Sequence, residues 1–76
     1  MPKFTKKYNI EPTQKQRESI SSAFKITTLY FLNEEKKDVE IITQTFNENQ
    51  ILATLNVNGM NYEQRVIGVN GGITVI

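Results

Sequence analysis

Short runs of apolar residues, separated by polar breaks, fill the chain from Lys25 onward. The runs are rich in β-branched and aromatic residues, which favour strands because their side chains pack well on a pleated surface. Breaks at such regular intervals are typical of an antiparallel meander. The pattern predicts five strands, at residues 25–32, 39–46, 50–57, 60–69 and 73–76.

The break at Asn58-Gly59 predicts a two-residue turn. A type I′ turn requires positive φ at both central residues, and Asn followed by Gly adopts that conformation at little cost. The turn sets the register of its hairpin, and side chains alternate between the two faces of the sheet. The predicted pairs share one apolar face: Val57 with Met60, Leu55 with Tyr62, and Ile51 with Val66.

The opposite sheet face is divided into an apolar half and a polar half. Its apolar residues gather near the first predicted hairpin, and polar residues such as Glu63 and Arg65 follow. One short helix cannot cover a whole apolar face and half of another. Either the sheet closes into a small barrel, or the surplus patch meets another chain. The candidate protein interface consists of Tyr30, Leu32, Val39 and Ile41.

A helix precedes the predicted strands. Thr13 and Gln16 have the spacing of a capping box, in which each side chain accepts a hydrogen bond from the other residue's backbone N–H. The predicted helix spans residues 11–24, and its thin apolar stripe requires docking on the sheet. The predicted fold is α+β: a single domain, residues 1–76, with one N-terminal helix packed on a strongly curved five-stranded antiparallel meander.

Residues 1–10 allow two interpretations. Phe4, Lys6, Tyr8 and Ile10 alternate with polar residues, as they would in a strand, but lysine occurs in both sets. The segment is therefore either an extra edge strand or a disordered basic arm.

Positive charge is concentrated in the first third of the chain, although the net charge is only +1. Residues 1–25 contain six Lys or Arg and two Glu, a net charge of +4, whereas the later residues contain three cations and six anions, a net charge of −3. The basic segment suggests an anionic partner such as a nucleic acid, with a solubilising tail as the alternative. Its cations would contact phosphates and its aromatic rings would stack on unpaired bases. The predicted nucleic-acid-binding residues are Lys3, Lys6, Lys7, Lys15, Arg17, Lys25, Phe4 and Tyr8.

The residues used by common catalytic and metal sites are missing. The sequence contains no His and no Cys, which removes the commonest general base, the thiol nucleophile and the usual zinc, copper and haem ligands. Glu34, Glu35 and Asp38 fall in a predicted turn, where charges are normally solvated. Gly71-Gly72 lacks the Lys-Ser or Lys-Thr that follows in a phosphate-binding loop. We expect no enzyme activity, no cofactor, no metal and no small-molecule substrate.

The short length of the chain bears on its stability and its partners. A chain of this size buries only about 60% of its unfolded surface, and without disulfides or a metal we expect a homodimer to add stability. No apolar run approaches the roughly 18 residues that cross a bilayer, which favours the cytoplasm and no membrane partner.

Two functions are consistent with these patterns. The favoured one is nucleic-acid binding through the N-terminal arm and helix, and the alternative is a protein-interaction or homodimerisation module that uses the apolar patch. The abundance of Asn, Ile and Lys is typical of AT-rich coding sequences, so the alternative includes an accessory or inhibitor protein of a phage or mobile element.

Overall fold

The computed structural model describes residues 4–75, and its description leaves out the side chains of Phe4, Lys6, Ile26, Thr27, Leu29 and Val75. A main helix packs against a five-stranded sheet, so the predicted α+β class is confirmed. The last residue of the fifth predicted strand, residue 76, lies outside the described residues. The elements in chain order are β1 (Phe4–Tyr8), α1 (Gln14–Ala23), α2 (Ile26–Glu34), β2 (Val39–Asn47), β3 (Gln50–Val57), β4 (Met60–Gly68) and β5 (Ile73–Val75).

The five strands follow one another in the sheet in chain order. β2 to β5 form the predicted antiparallel meander. β1 pairs with β2 in parallel, with Phe4 opposite Val39 and Tyr8 opposite Thr43, so the sheet is mixed and not wholly antiparallel. Parallel neighbours need a crossover connection, which α1 and α2 supply. The N-terminal segment is thus an edge strand, and the sheet is open, with β1 and β5 as its edges among the described residues.

The segment predicted as the first strand, residues 25–32, is mostly helical, so that part of the prediction is wrong. α2 begins at Ile26 and ends at Glu34. β propensity is easily overridden by tertiary packing, and the apolar positions of this segment also include helical i, i+3 and i+4 spacings. Lys25 separates the two helices with φ 51° and ψ 98°. The helix carries Leu32 into the core, and β1 supplies the fifth strand instead.

The predicted capping box at the start of α1 is confirmed, although the helix begins a few residues later than predicted. The N–H of Gln16 donates to Oγ1 of Thr13 at 3.1 Å, and the N–H of Thr13 donates to Oε1 of Gln16 at 2.8 Å, which completes the capping box. The helix begins at Gln14 and ends at Ala23. Ile20 and Phe24 are buried, so α1 is docked on the sheet, as its thin apolar stripe requires.

A β-bulge in the β3–β4 hairpin changes the predicted register. Asn58 and Gly59 both have positive φ, and Val57 lies opposite Met60, as predicted. Beyond Asn56 the register shifts, because one extra residue of β4, Tyr62, has no partner in β3. The two other predicted pairs are therefore wrong: Leu55 lies opposite Glu63, and Ile51 lies opposite Ile67.

The two helices and one face of the sheet enclose the core. The shift in register moves Glu63, Arg65 and Ile67 to the face covered by the helices, since one residue of slip exchanges the two faces. Thr43 is also buried there, and its Oγ1 donates to the carbonyl oxygen of Ile10 at 3.0 Å. The core residues are Ile20, Phe24, Leu32, Val39, Ile41, Ile51, Ala53, Leu55 and Ile67.

The turn between β4 and β5 holds α1 in place. Nε2 of Gln16 donates to the carbonyl oxygen of Gly68 at 3.3 Å, and the hydroxyl of Ser19 donates to the carbonyl oxygen of Gly71. Gly71 has φ 85°, and a Cβ atom there would lie 2.9 Å from Oγ of Ser19. Both the backbone conformation and the close approach of the helix therefore require glycine at this position.

Candidate protein-binding surface

Four of the N-terminal residues predicted to bind nucleic acid, Phe4, Lys6, Lys7 and Tyr8, belong to β1, so this stretch does not form a free arm. Lys3 lies outside the described residues, and the side chains of Phe4 and Lys6 are not described. Lys7 is exposed, but its Nζ lies 3.0 Å from Oε2 of Glu40 on β2. Part of its charge is therefore neutralised within the chain.

Arg17 and Tyr8 contact each other, which links α1 to β1. The guanidinium carbon of Arg17 lies 5.9 Å from the centre of the Tyr8 ring, and the guanidinium forms an ion pair with Glu11. A cation over an aromatic ring at this distance is attractive. Lys15 and Lys25, by contrast, are exposed and form no ion pair with another described residue.

The predicted protein interface is mostly buried inside the chain, which corrects that prediction. Leu32, Val39 and Ile41 belong to the core, at 4%, 0% and 0% exposure, and only Tyr30 lies at the surface. Val39 pairs with Val57, and Ile41 pairs with Leu55. All four side chains lie on the sheet face that the helices cover. The sequence predicts that this apolar patch is covered by closure of the sheet into a barrel or by another chain. In the structure, α2 covers part of it.

Among the described residues, the four most exposed large apolar side chains come from α2 and from the start of β4. The N–H of Asn58 donates to the carbonyl oxygen of Asp38 at 2.7 Å, which joins the turn before Met60 to the connection that follows α2. We call these four residues the apolar surface: Tyr30, Phe31, Met60 and Tyr62, which are 68%, 60%, 75% and 57% exposed.

The sequence interpretation placed Met60 and Tyr62 on the covered face and missed their exposure. The bulge at Tyr62 removes that side chain from the regular alternation. Val66 and Ile67 are both apolar, so either register places an apolar residue opposite Ile51, but the bulged register also moves Glu63 and Arg65 to the covered face. The hydrophobic pattern therefore favours the regular register and gives no signal for the bulge.

A groove lies beside the apolar surface, between the junction of the two helices and β4. Its volume is about 410 Å³. The Arg65 guanidinium forms an ion pair with Glu63 and donates to the carbonyl oxygen of Gln64 at 2.7 Å. Lys25 is exposed at the rim, so two cations and one anion give the groove a net positive charge. We call it the basic groove, and it is lined by Phe24, Lys25, Thr28, Tyr62, Glu63 and Arg65.

The basic groove and the apolar surface adjoin. Tyr62 belongs to both. Thr28 lines the groove, and Phe31 follows it by three residues on α2, which places the two on the same side of that helix. A partner that contacts Phe31 and Tyr62 would therefore pass over the groove.

Comparison with protein-family models, with curated proteins and with solved structures found no match to this chain. Among the described residues, no helix is long and apolar enough to cross a membrane. The same residues contain no group of three or more acidic side chains arranged to hold a metal ion.

Proposed function

We propose that the protein is a non-catalytic binding module that contacts another protein through the apolar surface. The observation that carries this proposal is the exposure of Tyr30, Phe31, Met60 and Tyr62, which come from α2 and the start of β4. Isolated exposed apolar residues are ordinary, but a group of large ones is typical of interaction sites. Tyr, Phe and Met are also enriched at the centres of protein interfaces. A cytoplasmic setting is part of the proposal and fits the absence of cysteine.

The apolar surface sets a limit on the affinity that it can supply. Burying one large apolar side chain from full exposure contributes about 1.5–3 kcal/mol. At 57–75% exposure, the four residues together contribute at most about 8 kcal/mol before the cost of association. After an association cost of at least about 4 kcal/mol, these side chains alone support millimolar binding at best, and a tighter complex requires polar contacts in addition.

The proposal can be tested with a phage-displayed library of random dodecapeptides. We expect the protein to enrich peptides with apolar residues, and we expect their affinity, measured by isothermal titration, to fall at least tenfold in the double variant Tyr30→Ser with Phe31→Ser. Phe46→Ser is the matched control, because Phe46 is also about half exposed but lies at the opposite end of β2, outside the apolar surface.

Sedimentation equilibrium on the wild type, the double variant and Phe46→Ser tests whether the partner is a second copy of the chain. Loss of a dimer in the double variant alone would support the proposal. Equal peptide affinity in the double variant and in the wild type would refute it. So would the combination of a monomer at millimolar concentration and a library that enriches nothing.

Nucleic-acid binding is a second candidate function, favoured by the exposed and unpaired Lys15 and Lys25. Fluorescence anisotropy with labelled single-stranded DNA, duplex DNA and RNA at two salt concentrations tests it. Two phosphate contacts predict a slope of log affinity against log salt of about −1.4 to −1.8. Charge reversal of both lysines should abolish this slope, and no binding at low salt would exclude the candidate.

A further inference from the structure

β4 is longer than the strand that covers its outer edge. β5 pairs only with Arg65, Val66 and Ile67 of the nine residues in β4. On the side away from β3, residues 60–63 have no strand beside them among the described residues. An uncovered strand edge exposes backbone donors and acceptors that another extended chain can pair with.

The uncovered edge lies next to the basic groove. Tyr62 and Glu63 belong to this stretch of β4 and also line the groove. In a strand added along the edge, alternate side chains would point towards the face that carries the helices, and so towards the groove.

The charge of the groove selects an acidic occupant. Lys25 has no ion-pair partner among the described residues, whereas Arg65 is already paired with Glu63. A carboxylate on the added strand would meet the free ammonium group of Lys25. An apolar side chain two positions along would meet the exposed ring of Tyr62.

The edge strands of a second copy do not have this chemistry. β1 reads Phe-Thr-Lys-Lys-Tyr and contains two lysines, and β5 reads Ile-Thr-Val and has no charge. Neither strand could offer a side-chain carboxylate to Lys25. The uncovered stretch of β4 in a second copy contains one carboxylate, that of Glu63, which is already paired with Arg65. The occupant is therefore a segment of a different protein.

We propose that residues 60–63 of β4 bind an extended acidic peptide segment as an added strand, with a carboxylate of the segment contacting Lys25 in the basic groove. Such β-strand addition takes its affinity from main-chain hydrogen bonds and its specificity from side-chain pockets. The edge is short and contains a bulge, so few hydrogen bonds form and the groove decides which peptides bind. This inference rests on the proposed protein-binding function and names the chemistry of the partner.

The test uses a fluorescein-labelled octapeptide in which Thr alternates with Asp and Val, so that the Asp and Val side chains share one face. We expect it to bind the wild-type protein. Lys25→Glu should weaken binding about five- to tenfold. Lys36→Glu is the matched control and should leave binding unchanged, because Lys36 is also an exposed lysine with positive φ and no ion-pair partner among the described residues, but lies outside the groove.

A second peptide separates strand addition from simple charge attraction. The same octapeptide with N-methylated backbone amides keeps its carboxylates and loses its donors, so it should bind at least tenfold more weakly. Equal binding of the methylated peptide, an equal effect of Lys25→Glu and Lys36→Glu, or no binding at millimolar concentration would each overturn the inference.

The outcomes also distinguish this inference from the proposed function. If library peptides bind and lose affinity in the Tyr30→Ser, Phe31→Ser variant while the octapeptide fails to bind, the strand inference is wrong and the proposed function stands. If no peptide of either kind binds and the protein is monomeric, both are wrong.

Discussion

Leu55 is the most direct test of which face of the sheet is covered. Its side chain is fully buried in the core, between Ile41 of β2 and Glu63 of β4. Leu52 is the matched control: the same residue type in the same strand, on the opposite face and only partly buried. We therefore compare Leu55→Ala with Leu52→Ala.

The expected loss of stability follows from the volume removed. Leu→Ala deletes about three carbon groups, which corresponds to a transfer free energy of about 2.4 kcal/mol at about 0.8 kcal/mol each. A residual cavity of about 50 Å³ adds about 1.2 kcal/mol. We expect Leu55→Ala to lose about 3.5 kcal/mol of unfolding free energy. Leu52→Ala should lose about 1 kcal/mol, because its side chain is partly exposed to solvent and leaves no enclosed cavity.

Urea denaturation followed by far-ultraviolet circular dichroism measures both variants. A domain of this size has an unfolding free energy of about 4–11 kcal/mol, so the loss at Leu55 is a large part of the total. The melting temperature should fall by about 15–25 °C in Leu55→Ala. An equal or larger loss in Leu52→Ala would show that the covered face has been assigned in reverse, and losses below about 1 kcal/mol in both would show that neither face is enclosed.

Substitutions at three further positions test single features of the fold by thermal denaturation. Thr13→Ala should lose about 1 kcal/mol because it removes the N-cap hydrogen bond, and Thr13→Ser should retain most of the stability; equal losses would exclude the capping box as their cause. Gly71→Ala should lose about 1–3 kcal/mol, since it combines positive φ with a contact on Ser19, and a neutral effect would refute the close approach of α1. Val39→Lys should prevent folding because it places a charge in the core, whereas a folded variant would mean that Val39 is accessible to solvent.

Only part of the candidate site could be predicted from the sequence. The exposure of Tyr30, Lys15 and Lys25 agrees with the interpretation of these residues as surface positions. The remaining candidates depend on which elements pack together. The sequence alone predicts Arg17 to be a free cation. In the structure, its guanidinium lies over the Tyr8 ring and forms an ion pair with Glu11.

The features determined by the sequence alone are those set by neighbouring residues. Thr13 and Gln16 form the capping box because one turn of helix brings them together. Asn58 and Gly59 make the turn because both tolerate positive φ. The alternating runs of β2 to β5 pair as a meander because short turns leave consecutive strands adjacent.

The tertiary structure decided everything that depends on contacts between distant residues. Residues 26–34 have strand propensity but form a helix, because a parallel β1 requires a crossover and the core requires a cover. The bulge at Tyr62 moves Glu63 and Arg65 to the covered face, where they pair with each other, and the apolar pattern does not predict this. Local preferences amount to a few tenths of a kcal/mol per residue, whereas burying one core side chain contributes about 1.5–3 kcal/mol. Burial in the core therefore prevailed over local preference wherever the two disagreed.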